Sequence, residues 1–436
     1  MTQEDTDGII FVGDVHLGRR PVGLDEALAN LPLSARELAP AAALARVVDE
    51  ALASPTRAVV FAGDLVDQDK DRFEAYPVLE RQVRRLADRG IPVFAIAGNH
   101  DSLVLPRLIK RVPGVSLLGA GGTWQHAPVP GPGPAIDLIG WSFPKRHFTT
   151  SPLDSGDFAA AKAAARRDAL TLGVLHCDLD AVGSPYAPVS LERLRGAGLD
   201  GWFLGHVHQP SDLTVTPPIG YLGSLVGLDI GETGPRGPWR VHVKGRAVQA
   251  EQLALGPVRW ELLDVDLTSE DSLDEDAVHV AIERAVQAQL RADVTLGERI
   301  QLVVVRVRLV GRVKDRRGPR DFAAMFAGKH LALRFGEIPI LVERVRDETR
   351  TAIDLADLAQ ESTSIGRIAT HLLALQAGGA AELLESARRE VARVDAGGWQ
   401  VDDTDHALTP TPELLQSAAW RVLEVLLEQR RGESSS

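Results

Sequence analysis

The chain has 436 residues, a formal net charge of −12, 44% hydrophobic and 25% charged residues, and one cysteine, Cys177. That length calls for two or three cores; one cysteine excludes an internal disulfide and fits a reducing, cytoplasmic compartment; and no apolar run predicts a leader or a membrane span. The acidic balance excludes gripping nucleic acid by overall charge, so any such grip would be local, metal-mediated or shared with a partner.

Gly8–Val12 predicts a short buried strand ending at Gly13-Asp14, then a helix over about Ala35–Ala53 with apolar residues at helical spacing. Ala58–Ala62 predicts a second strand, Arg72–Arg89 a charged helix, and Ile91–Ala97 a third strand that ends at Gly98-Asn99-His100-Asp101. This β-α-β-α-β order implies parallel strands with helical crossovers. Short strands are expected at Val115–Leu118, Ile136–Trp141, Leu170–Leu175, Gly201–Leu204, Tyr221–Val226, Trp239–Val243, Val248–Leu255 and Trp260–Leu267, with a turn at Gly131–Pro134. Residues 1–268 are expected to form one α/β sandwich domain.

The polar run Thr268–Ser272 marks the expected boundary to a smaller α+β module over 269–350, with a helix at Glu275–Arg291 and strands at Ile300–Val310 and Ile338–Val345. Its basic stretch Arg306–Arg320 predicts either a phosphate contact or a solvated charged face. Residues 351–436 read as helical, broken at Gly378-Gly379 and Gly397-Gly398, with a linker over 396–411. Thr411-Pro412-Glu413 opens a last helix over 412–431. Its stripe of Leu414, Leu415, Ala418, Ala419, Val422, Leu423, Leu426 and Leu427, with Trp420 beside it, predicts docking either on a partner or on the chain itself.

Candidate ligands stand where apolar strands end. Asp14 and His16 are two apart, so both point the same way, and His206 and His208 repeat that spacing after Gly205. Asp64 follows Gly63, Asn99 follows Gly98, and His176 closes a strand. A preceding glycine lets the backbone bend and approach a bound group. The carboxyl ends of strands are where open α/β sheets place their sites. Carboxylate, amide oxygen and imidazole suit Mn²⁺, Fe²⁺ or Zn²⁺, without the thiolates of a structural zinc site. Asp64, with two oxygens, is expected to bridge two cations about 4 Å apart, which would activate water and clamp a phosphate. His100 lies outside this ligand set and is expected to orient the phosphate or protonate the leaving oxygen. Asp101 would then hold the His100 ring or its loop.

Other residues nearby carry plainer alternatives. Tyr221 and Ser224 are expected to touch substrate, with a simple turn as the rival. Asp67 either binds a donor near the site or caps the next helix. Asp178 either orients His176 or is a loop carboxylate. Cys177 points away from His176 and is expected to pack as a small apolar residue. Each motif alone is weak, but their conjunction in this order is specific.

Gly13-Asp14-Val15-His16-Leu17-Gly18, Gly63-Asp64-Leu65-Val66-Asp67, Gly98-Asn99-His100-Asp101-Ser102, Leu175-His176 and Gly205-His206-Val207-His208 resemble the calcineurin-like metallophosphoesterases. Asp14–Gly18, Tyr221–Ser224 followed by Asp229–Glu232, and Val305–Arg312 look like the DNA-repair exonuclease branch of the SbcD and YhaO type. The resemblance implies a four-layer α/β/β/α sandwich with a smaller α+β cap and a helical C-terminus. It implies one metal on Asp14, His16, Asp64 and His208, another on Asp64, Asn99, His176 and His206, and His100 as the catalytic histidine. It also implies Mn²⁺-dependent cleavage of DNA ends with a coiled-coil ATPase partner of the SbcC or YhaN type, and leaves a homodimer open. Leu222 replaces the usual Pro before Gly-Ser, a departure that bears on DNA contacts. A small-molecule phosphodiesterase or pyrophosphatase, or a non-catalytic scaffold binding DNA or an ATPase, are alternatives on the same core.

Overall fold

The computed structural model describes residues 8–24, 28–29, 31–270, 273–292, 299–313, 331–379, 381–395 and 410–433. They fall into two compact units, the larger ending at Gly311 but including the described residues up to Glu348, the smaller comprising Arg312–Val313 and those from Thr349 onward.

In the larger unit, β1 (Gly8–Val12), β2 (Thr56–Ala62), β3 (Val93–Ile96) and β4 (Val115–Leu117) pair in parallel in that order. Helices α1 (Pro40–Ala53) and α2 (Arg72–Ala87) make the crossovers. The first helix begins at Pro40, five residues later than expected, because a proline at the first helical position has its φ already set for the helix. Ala43, Leu44, Val47, Val48 and Ala51 form its buried stripe against Ile10, Val12, Val59 and Phe61.

A second sheet holds β5 (Trp124–Val129), β6 (Ile136–Trp141), β7 (Leu170–His176), β8 (Gly201–Gly205) and β9 (Ile219–Tyr221) in sequence order, all parallel except β5. The hairpin β10 (Trp239–Lys244) and β11 (Ala247–Gln252) extends the first sheet, antiparallel to β1. Alternate residues divide the cores. Ile9, Phe11, Val60 and Ile96 face Leu138, Leu172, Val174 and Phe203 between the sheets, where the Phe11 and Phe203 rings stack at 4.0 Å. Helices Asp157–Ala163 and Leu191–Gly196 lie with the outer core of the second sheet, completing four layers. The strand expected over Tyr221–Val226 stops at Tyr221, since Gly223 turns the chain with φ +77°. The strand at Trp124–Val129 was not foreseen: it is an edge strand carrying Pro128, a residue that weakens a strand signal.

A smaller sheet has β12 (Val258–Asp266), β13 (Leu302–Val310) and the strands Leu331–Phe335 and Ile338–Asp347. β12 and β13 are parallel, so they need a crossover, and the helix Glu275–Ala292 lies between them in the chain. The strand Val258–Asp266, which precedes the polar residues from Thr268, thus pairs within this smaller sheet. Leu24, Leu28 and Leu38 pack against its Val258, Trp260, Leu302 and Val304. Arg306 and Arg308 project from β13 into bidentate pairs with Glu343 and Asp264. Their charges are thus committed to carboxylates, which favours the charged-face reading over a phosphate contact. Lys314 to Arg320 lie outside the described residues.

The smaller unit pairs Arg312–Val313 with Arg350–Thr351 and continues through helices Leu355–Leu358, Ser364–Gln376, Ala381–Asp395 and Pro412–Glu433. The last helix splits its apolar stripe. Leu423 and Leu427 are buried against Leu355, Ile365, Ala369 and Leu372, while Leu414, Val422 and Val425 stay exposed. Trp420 lies under the Arg312 guanidinium, 3.5 Å from ring centre to Cζ. Of the expected linker 396–411, residues 396–409 lie outside the described residues. Among the described residues, no helix is long and apolar enough to cross a membrane.

Candidate metal centre

The carboxyl ends of β1, β2 and β3 from one sheet, and of β7 and β8 from the other, meet along one rim. Asp14, His16, Asp64, Asn99, His176, His206 and His208 all reach this rim, the first five of them buried. Four of the seven have left-handed backbones: Asp14 (φ 38°), His16 (φ 51°), Asp64 (φ 49°) and His206 (φ 109°). Such a conformation costs a non-glycine residue about 1–2 kcal/mol and persists only where the surroundings impose it. The glycines beside them serve close approach. A Cβ on Gly98 would lie 2.7 Å from the Asp64 nitrogen, and one on Gly205 would run into the Ala62 carbonyl.

The donor atoms converge in two groups. His16 Nε2 and His208 Nε2 are 3.0 Å apart, and both rings group with Asp14. Asn99 Oδ1 lies 2.9 Å from His176 Nε2 and 3.1 Å from His206 Nδ1. Asp64 Oδ2 faces both groups, 3.3 Å from His176 Nε2 and 3.9 Å from His16 Nε2. Ring nitrogens about 3 Å apart have the spacing of neighbouring ligands on one cation, given metal–nitrogen bonds of about 2.1 Å. Each imidazole has its second nitrogen tied down. His16 Nδ1 meets Asp67 Oδ1 at 3.0 Å, His176 Nδ1 the Ala62 carbonyl at 3.1 Å, His206 Nε2 Asp178 Oδ1 at 3.0 Å, and His208 Nδ1 Glu232 Oε1 at 2.6 Å. An outer acceptor of this kind fixes ring orientation and leaves the inner nitrogen's lone pair for a cation. The oxygen and imidazole donors therefore fit two divalent cations.

Charge in the rim is uneven. Burial opposes ionisation of Asp64, yet the imidazoles of His176 and His16 hold its carboxyl well below the usual range. Burial likewise opposes a charge on His176, but Asp64 and Asp14 outweigh it and raise its pKa to about 9. At His206, burial and the neighbouring His176 act together and lower it to about 4.

His100 stands beside this rim. Its Nδ1 is 3.0 Å from the Asp67 carbonyl, its own amide donates to Asp64 Oδ1, and it lines an open cleft of 650 Å³ with Asn99, Lys70 and Arg146. Nε2 is thus the nitrogen left to face a substrate.

Tyr221 and Ser224 take other positions than expected, and of the two roles open to Asp101 it takes the loop and not the ring. Asp101 accepts from the amides of Leu65, Val66 and Gly98, so it joins two ligand-bearing loops and does not hold the His100 ring. Burial and Asp64 push its carboxyl up to about 7, against the Gly98 amide, His176 and the Leu65 amide. Tyr221 Oη accepts the Leu179 amide at 2.6 Å. Ser224 is buried and donates to Glu232 Oε2 at 2.8 Å. Both side chains are thus committed to partners within the protein. Asp178 holds His206, not His176, and Cys177 is buried in the outer core of the second sheet. Sequence reasoning missed Glu232 as a partner of His208, since no spacing rule links residues 24 apart across a loop.

The calcineurin-like phosphoesterase family model matches residues 8–210. An uncharacterized metallophosphoesterase, YhaO, of Bacillus subtilis is 28% identical over 234 residues, 52% of this chain and 55% of that protein. The chain thus spans little more than half that relative's length. The DNA double-strand break repair protein Mre11 of Aeropyrum pernix is 29% identical over 298 residues, 65% of this chain and 69% of that protein. A UDP-2,3-diacylglucosamine hydrolase of Neisseria gonorrhoeae is 34% identical over 111 residues, 25% of this chain and 39% of that enzyme. The matched span contains the whole rim, from Asp14 to His208, and residues 8–210 of this chain are a calcineurin-like phosphoesterase domain.

Proposed function

We propose that this chain is a two-metal phosphodiesterase that cleaves DNA ends, acting with a coiled-coil ATPase of the SbcC or YhaN type. The observation that carries the hydrolytic reading is the convergence of seven donors in two groups sharing Asp64, with every ring oriented from outside. Asp14, His16, Asp64 and His208 would hold one divalent ion, and Asp64, Asn99, His176 and His206 the other, with Mn²⁺ the proposed metal and Fe²⁺ or Zn²⁺ the alternatives. When bound, such a pair activates a water and neutralises charge on the phosphate oxygens. His100, its Nδ1 held by the Asp67 carbonyl, is placed to give a proton to the leaving oxygen. Lys70 and Arg146 put positive charge on the cleft wall, where flanking phosphates of a strand would lie. This local charge answers the acidic balance of the whole chain. DNA is further supported by the similarity to a protein named for double-strand break repair. The exposed Leu414, Val422 and Val425 offer the ATPase an apolar helix face.

A second reading, a nucleoside-diphosphate-linked small molecule, is favoured only by the shorter match to the UDP-2,3-diacylglucosamine hydrolase. The test is a substrate panel of linear DNA, cyclic nucleotides and nucleotide-sugar diphosphates with added Mn²⁺. Cleavage of DNA is expected, and His100→Ala is expected to slow it by about 10²–10⁴-fold while Mn²⁺ binding persists. Turnover of the nucleotide-sugar alone would replace the nuclease reading with the second one. Full DNA cleavage by the His100 variant would remove that residue's assigned role.

A further inference from the structure

Glu232 is buried, 24 residues beyond His208, and lies outside the converging donors. Both its oxygens are committed. Oε1 accepts from His208 Nδ1 at 2.6 Å, and Oε2 accepts from Ser224 Oγ at 2.8 Å and from the Leu228 amide at 3.1 Å. The loop that carries it is fastened to the His208 loop at further points. The Ser224 amide donates to the His208 carbonyl at 2.9 Å, and the buried Arg236 guanidinium donates to that same carbonyl, to Gln209 Oε1 and to the Thr233 carbonyl. Glu232 is therefore a fixed carboxylate aimed at one ring.

The four imidazoles differ in this respect. His176 ends a buried strand and rests on a main-chain carbonyl. His208 instead reaches the rim from a half-buried loop beyond β8. Its orientation depends on what holds Nδ1, and a charged acceptor there also raises the basicity of Nε2. His208 Nε2 converges with His16 and Asp14, and not with the Asn99, His176 and His206 group.

We propose that Glu232 is a positioning residue that sets the affinity of one metal position only, the one shared by Asp14, His16 and His208, by holding His208 in its binding orientation. Ser224, Leu228 and Arg236 serve by keeping that carboxylate in place. The proposal rests on the two-metal reading of the rim.

The test is calorimetric titration of the full-length, metal-stripped protein with Mn²⁺, comparing wild type with Glu232→Ala, Glu232→Gln, His208→Ala and the Glu232→Ala/His208→Ala double variant. Wild type is expected to take up two ions. Glu232→Ala should weaken one of them by about ten- to a hundredfold and leave the other at its wild-type value. Glu232→Gln, which keeps an accepting oxygen and the side-chain shape, should recover part of that loss. In the His208→Ala background, Glu232→Ala should cause no further loss, because both changes act through one ring. Equal weakening of both positions, an additional loss in the double variant, or unchanged affinity would overturn the proposal. If Glu232→Ala does not fold, Glu232→Gln decides alone: a loss confined to one position supports the proposal, and none overturns it. Fewer than two ions on wild type would instead bring down the two-metal reading, and the proposal with it.

Discussion

His176 and His206 stand on the same rim with opposite proton affinities. In the metal-free protein at neutral pH, His176, raised to about 9, keeps its proton, while His206, lowered to about 4, has none to lose. On the proposed two-metal reading a cation would take the lone pair on His176 Nε2, so binding would expel that proton. Mn²⁺ affinity is predicted to rise from neutral pH towards about pH 9 and then to level off, with no share from His206 in that range. Titrations in buffers of different ionisation heat would read the released proton, and heats that do not change with buffer would contradict the assignment. Gly98→Ala should be severe for a steric reason, since its Cβ meets Asp64 at both a side-chain oxygen and the main-chain nitrogen. Displacing the shared carboxylate by about 1 Å is predicted to cost about a hundredfold or more in turnover and to lower bound Mn²⁺, checked by initial rates and metal analysis. Burial pushes the Cys177 thiol further up. It is predicted to resist thiol reagents in the native protein and to react once on denaturation. The seven ligand candidates were legible in the sequence because each sits at the end of an apolar run. Their outer acceptors were not, because an Asp or Glu in a loop looks the same whether or not a distant imidazole points at it.

At the scale of elements, the long buried strands and the first two helices announce themselves by periodicity. Short or edge elements do not: Trp124–Val129 carries Pro128, and Leu191–Gly196 spans less than two turns. The last helix shows where periodicity alone stops being informative. Its stripe is continuous in sequence, but only Leu423 and Leu427 are fully inserted in a core. Leu423→Ala is predicted to destabilise the smaller unit by about 2–5 kcal/mol in chemical unfolding, with Mn²⁺ binding unchanged. Val422→Asp, on the exposed side, is predicted to stay within about 0.5 kcal/mol of wild type by the same measurement.

At the scale of the molecule, the candidate metal rim lies in the larger unit and the exposed helix face in the smaller. The two should therefore be separable by mutation. If the proposed ATPase docks there, paired Val422→Asp and Val425→Asp changes are predicted to abolish its co-purification while hydrolysis of bis(p-nitrophenyl) phosphate stays at the wild-type rate. Undiminished co-purification would count against docking on that face. What the amino-acid sequence determined by itself is the order of the buried strands and the residue types at their ends, because both follow from local periodicity and chain punctuation. Tertiary structure decided which residues meet. It brought His16 and His208, 192 positions apart, to 3.0 Å. It turned Tyr221 and Ser224 inward, matched Arg306 and Arg308 to carboxylates, and set Asp67, Asp178 and Glu232 behind three of the four imidazoles. Those pairings depend on how two sheets and their loops pack, a relation between distant segments that no local pattern specifies.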